Sequence, residues 1–138
     1  MNIRQATKNE YADVLKHYEF CNYNAGIQDN DIVIIALEDR VIIGAVRICQ
    51  ENGEKVLRGM QVSSKYRYNG IGKAMLLFLK EHVKLNDCYC LPFIHLKNFY
   101  GRIGFQEIEI NNAPPFLAER LKYYLQSGHD SMIIMKHF

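Results

Sequence analysis

The 138-residue sequence contains no apolar run that approaches the roughly 18 residues of a membrane-spanning helix. It also has no long basic run, because Lys and Arg are interspersed with Asp and Glu to give a net charge of +2. These two absences argue against a membrane protein and against a dedicated nucleic-acid surface. We therefore expect neither a membrane partner nor a nucleic-acid partner.

Metal-binding and secretory patterns are also missing. Of the four cysteines only Cys88 and Cys90 lie close together, and they form C-x-C rather than the paired C-x-x-C spacing of a zinc site. The first segment, "MNIRQATKNEYADVL", has neither the uninterrupted apolar core nor the cleavage site of a signal peptide. We expect a cytoplasmic protein with buried, reduced thiols and no metal.

The sequence does have the composition of a globular domain. Apolar residues make up 49% of the chain and charged residues 23%, both typical of globular proteins. The length is that of about one domain, which we place over residues 1–138. No linker, internal repeat or low-complexity segment interrupts it.

Helical and strand patterns alternate along the first half of the chain. The strand "NIRQA" precedes a helix over "TKNEYADVLKHYEF", for which Thr7 and Glu10 provide a capping box. The apolar face of this helix is Tyr11, Val14, Leu15 and Tyr18. Two β-branched runs within residues 31–50, separated by a turn at 38–40, predict a hairpin, and "KVLRGMQV" predicts a fourth strand.

The second half continues the alternation. A helix over "GIGKAMLLFLKEHVK" has an apolar stripe at helical spacing. After it come the strand "CYCLPF", the short helix "HLKNFYGRI", the strand "FQEIEI", the helix "APPFLAERLKYYLQSG" and the strand "SMIIMK". This order predicts an α/β fold with seven strands and four helices.

The turn within "KYRYNGIGKAML", residues 65–76, lies where the fourth strand ends and a helix begins. A helix start offers backbone N–H groups without partners and the positive end of the dipole, which favour phosphate oxygens. Gly70 and Gly72 remove side chains that would keep a phosphate away, while Arg67 and Lys73 add positive charge. The turn predicts an anion site; the alternative is a glycine turn that only lets the helix pack close to the sheet.

A second segment, "HLKNFYGRIGF" at residues 95–105, follows after one helix and one strand. Together the two segments resemble the GNAT superfamily of acetyl-CoA-dependent N-acetyltransferases. "VSSKYRYNGIGKAML" is similar to the pyrophosphate-binding motif of that superfamily, and "FYGRIGF" is similar to its tyrosine-bearing segment. The resemblance implies a single-domain GNAT fold, with a mixed, splayed, seven-stranded central sheet flanked by helices, and acetyl-CoA as co-substrate.

The resemblance also assigns cofactor-binding residues. In this superfamily the pantetheine arm lies in the gap between the fourth and fifth strands, here "KVLRGMQV" and "CYCLPF". Pantetheine would pair with the backbone near Gln61 and Val62, and pyrophosphate would lie on the amides of residues 67–73. The residues of this turn are Arg67, Tyr68, Asn69, Gly70, Ile71, Gly72 and Lys73.

The implied reaction is direct attack of a primary amine on the thioester of acetyl-CoA. Tyr100 stands where the superfamily often places the general acid that protonates the CoA thiolate. A phenol suits this step because its pKa of about 10 lies above that of a thiol, so it carries its proton at neutral pH. The alternatives are that Tyr100 is a core residue and that the chain is a non-catalytic acyl-CoA-binding module with the same fold.

The sequence departs from the family pattern in three places. "KVLRGMQV" has no Asp, Glu or His, so the general base is unassigned and His95 is the candidate. Phe93 stands where many members have a pantetheine-binding asparagine, which weakens a cofactor contact. Ser64 stands where a proline is frequent, which loosens a turn.

The acceptor is expected to be an amine-bearing small molecule, a peptide N-terminus or a lysine side chain, and a homodimer is left open. In this fold the acceptor site is bounded by the segment after the first helix and by the connection before the last strand. Asp29 and Asp31 are candidates to attract a cationic amine. Tyr23 and Phe116 are candidates for apolar walls.

Overall fold

The computed structural model describes residues 1–128 and 131–138, which divide into two compact units, Met1–Lys84 and Leu85–Phe138. The first unit contains β1 (Asn2–Gln5), α1 (Tyr11–Phe20), β2 (Ile32–Glu38), β3 (Val41–Glu51), β4 (Glu54–Val62) and α2 (Ile71–His82). The second contains β5 (Cys88–Cys90), α3 (Lys97–Gly101), β6 (Phe105–Glu107), α4 (Pro115–Gln126) and β7 (Met135–His137). In the described part of the chain, the predicted α/β class, with seven strands and four α-helices in the expected order, is confirmed. The expectation of one domain over residues 1–138 stays a prediction.

The four strands of the first unit form an antiparallel meander in the order β1-β2-β3-β4. Both hairpins turn through two residues with positive φ: Asp39 and Arg40 at 50° and 69°, and Asn52 and Gly53 at 50° and 79°. Turns of this kind match the right-handed twist of the paired strands. The predicted hairpin with its turn at 38–40 and the predicted fourth strand are therefore confirmed.

Helices cover both faces of this meander. Val33, Ile34, Ile35 and Ala36 of β2 are all 0% exposed. On one face Val14 and Tyr18 of α1 pack with Val33 and Ile35. On the other face α2 comes so close that a Cβ on Gly44 would lie 2.8 Å from Met75 Cε. Glycine at position 44 thus allows α2 to pack tightly against β3.

The start of α1 follows the predicted capping box with a small shift. Glu10 accepts a hydrogen bond from the Thr7 amide at 2.9 Å and a bidentate pair from Arg4 at 2.7 Å. These bonds stabilise a 3₁₀ turn over Lys8–Glu10, and α1 itself begins only at Tyr11. The arginine lowers the pKa of Glu10 to about 2.

The apolar face expected for α1 is wrong at one position. Leu15 is 37% exposed, whereas His17 is only 6% exposed. His17 follows Val14 by three residues and precedes Tyr18, so it shares their face of the helix. A histidine therefore belongs to the buried side of α1.

In the second unit β7 lies between β5 and β6 and pairs antiparallel with both. These strands are three residues long, shorter than "CYCLPF", "FQEIEI" and "SMIIMK". Pro92 has no N–H for a ladder, and beyond it Phe93 forms only an isolated bridge with Met132. After β6 the chain enters a 3₁₀ turn over Ile110–Asn112.

Candidate functional site

The turn between β4 and α2 has an unusual backbone. A 3₁₀ turn over Ser64–Tyr66 follows the strand, and the chain is left-handed at Tyr68 (φ 67°) and Gly70 (φ 79°). No atom lies within 4 Å of the point where a Gly70 side chain would begin. Ile71 is 5% exposed and anchors the helix, while the exposed residues are Arg67, Tyr68, Asn69, Gly70 and Lys73.

The start of α2 presents free backbone donors. Its first helical hydrogen bond runs from the Ala74 N–H to Gly70 O at 3.0 Å, so residues 71–73 have no acceptor within the helix. Gly70 supplies no side-chain cap, and the first turn of α2, all of it in the described chain, has no acidic residue. The positive end of the helix dipole is thus uncompensated, and the turn has the character of an anion site.

The end of β4 orients its backbone groups alternately. The Ser63 N–H donates to Ile43 O at 2.8 Å, and Gln61 is paired with Ala45. Because hydrogen-bonded and non-hydrogen-bonded pairs alternate in an antiparallel ladder, the backbone groups of Gln61 and Ser63 face β3. Those of Val62 point away from β3. Of Gln61 and Val62, the two residues expected to pair with pantetheine, only Val62 therefore has its backbone groups directed outward.

Arg67 folds back onto this strand end. Its Nε donates to Val62 O at 3.2 Å. The side chain is exposed and only Nε is used in that bond, so its Nη groups are accessible to an anion. Arg67 therefore stabilises the turn and adds positive charge beside it.

His17 of α1 contacts the same strand end. Its Nε2 lies 3.0 Å from Gln61 O. Because a carbonyl oxygen can only accept, Nε2 carries the proton, and Nδ1, 3.5 Å from the Ser63 hydroxyl, is an acceptor. Burial lowers the pKa of His17 and so favours the neutral ring. No motif in the sequence pointed to His17; its position on the apolar face of α1 was the available signal.

We expect His17 to make the protein less stable in mild acid. Its pKa is lowered in the folded chain, so the unfolded chain binds this proton more tightly. The contribution of the neutral His17 ring to the free energy of unfolding is complete above pH 6.5, the pKa of the unfolded chain. It is lost as the pH falls through 6.5 toward the lower pKa of the folded chain. Urea unfolding at about pH 7.5 and about pH 5 measures it. The wild type should lose more stability than His17→Gln between these two pH values. Equal losses would contradict a lowered pKa of His17 in the folded chain.

A β-bulge interrupts β4 next to α1. Gly59 and Met60 together oppose the single residue Val46 of β3. Gly59 has φ 71°, and a Cβ there would lie 2.6 Å from the Tyr18 hydroxyl and 3.2 Å from Arg47 Nε. Bulges bend a strand and are frequent beside functional sites. The only sequence signal for it was a glycine within a strand pattern.

Gly59→Ala is expected to lower the free energy of unfolding by about 2–4 kcal/mol, because the left-handed backbone and the contact with Tyr18 both oppose a side chain. Gly53→Ala is the matched control. Gly53 has a similar φ of 79° but no atom within 4 Å of its Cβ position, so it should lose only about 1–2 kcal/mol. Urea unfolding of both variants measures the difference, and equal losses would mean that Tyr18 moves aside without cost.

The segment after α1 is fixed by a buried ion pair. Asp31 and Arg47 are 5% and 4% exposed, and their Oδ2 and Nη1 atoms lie 3.6 Å apart. Arg47 also donates to Gly26 O, and the Gln28 N–H donates to Asp31 at 3.0 Å. The expectation that Asp31 attracts a cationic amine is therefore wrong, because its charge is buried and paired. Asp29 is exposed, and its role stays a prediction.

Tyr100 belongs to the second unit, where it lies on α3 and is 6% exposed. Its ring meets Phe99 and Phe105 edge-on, with centroids 5.0 and 6.2 Å apart. Phe105 in turn meets the His137 ring at 5.3 Å. Aromatic packing thus fixes the orientation of the ring. The role of the hydroxyl stays a prediction.

No residue is identified as the general base. His95 is exposed and stacks on the exposed Phe93 ring at a centroid distance of 5.9 Å. β4 starts one residue earlier than expected, at Glu54, but this carboxylate lies beside the β3–β4 turn, at the opposite end of the strand from Val62. The assignment of His95 therefore stays a prediction.

Within residues 1–128 and 131–138 no three His, Cys, Asp or Glu side chains converge on a point that could hold a metal ion. None of the four cysteines, all of them in the described chain, forms a disulfide; Cys49, Cys88 and Cys90 are buried and Cys21 is half-buried. Burial raises the pKa of the Cys49 thiol to about 11. No helix in the described chain has both the length and the apolar character needed to cross a membrane.

Comparison with known proteins gives the family to which the chain belongs. The sequence model of the acetyltransferase (GNAT) domain matches residues 29–107, which is more than half of the chain. The chain therefore belongs to the GNAT acetyltransferase family, as the two sequence segments predicted. A search of curated proteins gave no match.

Solved structures show the same fold. An acyl-CoA N-acyltransferase from Pseudomonas aeruginosa is 19% identical, with a TM-score of 0.65 over 99% of this chain and 98% of that chain. N-acetylglutamate synthase from Neisseria gonorrhoeae, complexed with coenzyme A and N-acetyl-glutamate, is 15% identical, with a TM-score of 0.65 over 98% of this chain and 34% of that chain. Aminoglycoside 6'-N-acetyltransferase complexed with coenzyme A is 15% identical, with a TM-score of 0.59 over 79% and 87%.

Proposed function

We propose that the protein transfers an acetyl group from acetyl-CoA to a primary amine by direct attack, with Tyr100 as the general acid. The observation that best supports the proposal is the uncapped start of α2 in a chain of the GNAT family. This start directly follows a left-handed glycine and is separated from the outward-facing end of β4 by a turn. Two of the similar structures contain coenzyme A, which is a property of those proteins and supports the same ligand here.

The first unit provides a chemically suitable cofactor site. The pyrophosphate would be bound by the amides of residues 71–73 and by the positive charges of Arg67 and Lys73, with Tyr68 and Asn69 completing the turn. The open space at Gly70 leaves room for phosphate oxygens. Pantetheine would pair with the backbone of Val62. Gln61 contributes indirectly, since its own backbone groups face β3.

The proposed reaction is one nucleophilic substitution. The nitrogen of the acceptor amine bonds to the thioester carbonyl carbon, and the carbon–sulfur bond breaks. The thiolate receives a proton from the Tyr100 hydroxyl, and the amine proton passes to a base that is unassigned. A phenol is protonated at neutral pH and is more acidic than water, so it suits the donor role.

The acceptor is proposed to be an amine-bearing small molecule, a peptide N-terminus or a lysine side chain. Asp29 is an exposed carboxylate of the segment that precedes β2. Tyr23 and Phe116 are the proposed apolar walls of the acceptor site. Tyr23 packs on Tyr18 at a centroid distance of 5.0 Å, and Phe116 lies under the Arg120 guanidinium at 5.7 Å. Cytoplasmic location and a homodimer stay predictions.

A second candidate is a non-catalytic acyl-CoA-binding module. The observation that favours it is the composition of β4, whose one acidic residue, Glu54, lies at the end remote from Val62. Such a protein would keep the turn of residues 67–73, called the anion turn below, but lack a base to deprotonate an amine.

Calorimetry with coenzyme A followed by a thiol-release assay distinguishes these functions. We expect a dissociation constant between submicromolar and tens of micromolar, and thiol release with at least one amine. The panel comprises polyamines, amino acids, aminoglycosides and peptide N-termini. Binding without release for every amine would favour the binding module, and no binding at millimolar coenzyme A would overturn both candidates.

A further inference from the structure

The contact between His17 and Gln61 O assigns a role to a residue outside the anion turn. We propose that His17 is a positioning residue for the cofactor: by bonding the end of β4 to α1, it holds the strand end, and with it the outward-facing backbone groups of Val62, in place. The inference rests on the proposed function, since it specifies how the coenzyme A site of that function is held in place.

The last residues of β4 depend on few bonds. The ladder with β3 continues to the Ser63 N–H bond with Ile43, and a 3₁₀ turn begins at the next residue. Gln61 O has two lone pairs: one faces Ala45 in the ladder, and His17 Nε2 approaches at 3.0 Å. The histidine thus adds a bond where the ladder ends.

Helix α1 is a suitable support for this bond. Val14 and Tyr18, on either side of His17, are 0% and 1% exposed and pack against β2. Arg67 also bonds the strand end, at Val62 O, but it is an exposed residue of the turn itself and would move with it. Of these two contacts, only the one from His17 ties the strand end to a different, well-packed element.

The surroundings of His17 fit a structural hydrogen-bond donor. Ser63 Oγ lies 3.5 Å from Nδ1, and Cys21 Sγ lies 3.8 Å from Nε2. The neutral ring therefore donates its Nε2 proton to Gln61 O, and the Ile42 backbone is a further partner of the ring.

The test measures coenzyme A affinity by calorimetry and separates the KM for acetyl-CoA from kcat. His17→Phe keeps an aromatic ring and removes the donor, so we expect coenzyme A binding to weaken about fivefold to tenfold, the value of one hydrogen bond. KM should rise by the same factor and kcat should stay within about twofold. His17→Gln places an amide donor at a similar reach and should restore affinity. If His17→Phe does not fold, His17→Asn, which is too short to reach Gln61 O, replaces it.

Two control variants on the same helix exclude a general effect. Val14→Ala should lower the melting temperature by creating a cavity on α1 yet leave coenzyme A affinity unchanged. Lys16→Ala changes an exposed neighbour and should alter neither. The inference is overturned if His17→Phe binds like the wild type, or if Val14→Ala weakens binding equally. A wild-type protein that fails to bind coenzyme A would instead overturn the proposed function, and with it the role of His17.

Discussion

Gly72→Asp is expected to abolish coenzyme A binding, with an affinity loss of at least about 100-fold, while the protein stays folded. Gly72 is the second residue of α2, between two of the amides proposed to bind pyrophosphate. An aspartate there adds bulk and a negative charge beside the pyrophosphate, and like charges in an interface cost several kcal/mol. The same carboxylate is favourable for the helix, because it lies at the positive end of the dipole.

Calorimetry and a thermal melt measure the two halves of this prediction. Gly72→Ala adds bulk without charge and should lose much less affinity than Gly72→Asp. The melting temperature of Gly72→Asp should equal or exceed that of the wild type. If Gly72→Asp still binds coenzyme A, the cofactor site must lie elsewhere in the protein.

Tyr100→Phe is expected to lower kcat by about 100-fold, the low end of the 10²–10⁴ typical of a positioned general acid. The low end is expected because a thiolate is a good leaving group and water can replace the acid in part. The substitution keeps the ring and its edge-on contacts with Phe99 and Phe105, so packing should be preserved. Coenzyme A affinity should change little.

The pH profile provides the sharper readout for Tyr100. Any fall in kcat at alkaline pH that reflects ionisation of the phenol should disappear in Tyr100→Phe. Tyr123→Phe, at an exposed position of α4, is the matched control and should leave kcat and the profile unchanged. If Tyr100→Phe turns over like the wild type at every pH with a good acceptor, Tyr100 is only a core residue.

The sequence predicted those parts of the fold that depend on neighbouring residues. The capping box at Glu10, the positive-φ turns and the glycine at the start of α2 are local features, and each lies where the pattern indicated. The lengths of β5, β6 and β7 were not predictable in this way. They depend on where a distant strand stops pairing, and the buried run at Ile133 and Ile134 is apolar without being part of β7.

The site was predictable to a similar extent. The anion turn and the segment around Tyr100 follow from short motifs. In contrast, the sequence indicates only that Asp31 is a carboxylate in a loop. The fold reveals that it is paired with Arg47, sixteen residues further on. The contact of His17 with Gln61 joins α1 to β4 across 44 positions of sequence, so no local pattern could give it. The need for glycine at position 59 in the bulge likewise follows from the Tyr18 hydroxyl beside it, which only the fold reveals.

The bulge in β4 also determines where the chain can tolerate a change in length. Deleting Met60 would let Gly59 alone oppose Val46 and would leave the flanking pairs, Arg58 with Arg47 and Gln61 with Ala45, as they are. A deletion between Lys55 and Arg58 would disrupt the β3–β4 turn or send buried side chains to the opposite face. Insertions and deletions among related chains are therefore expected at residues 52–53 and 59–60, and the strand between them should keep a constant length.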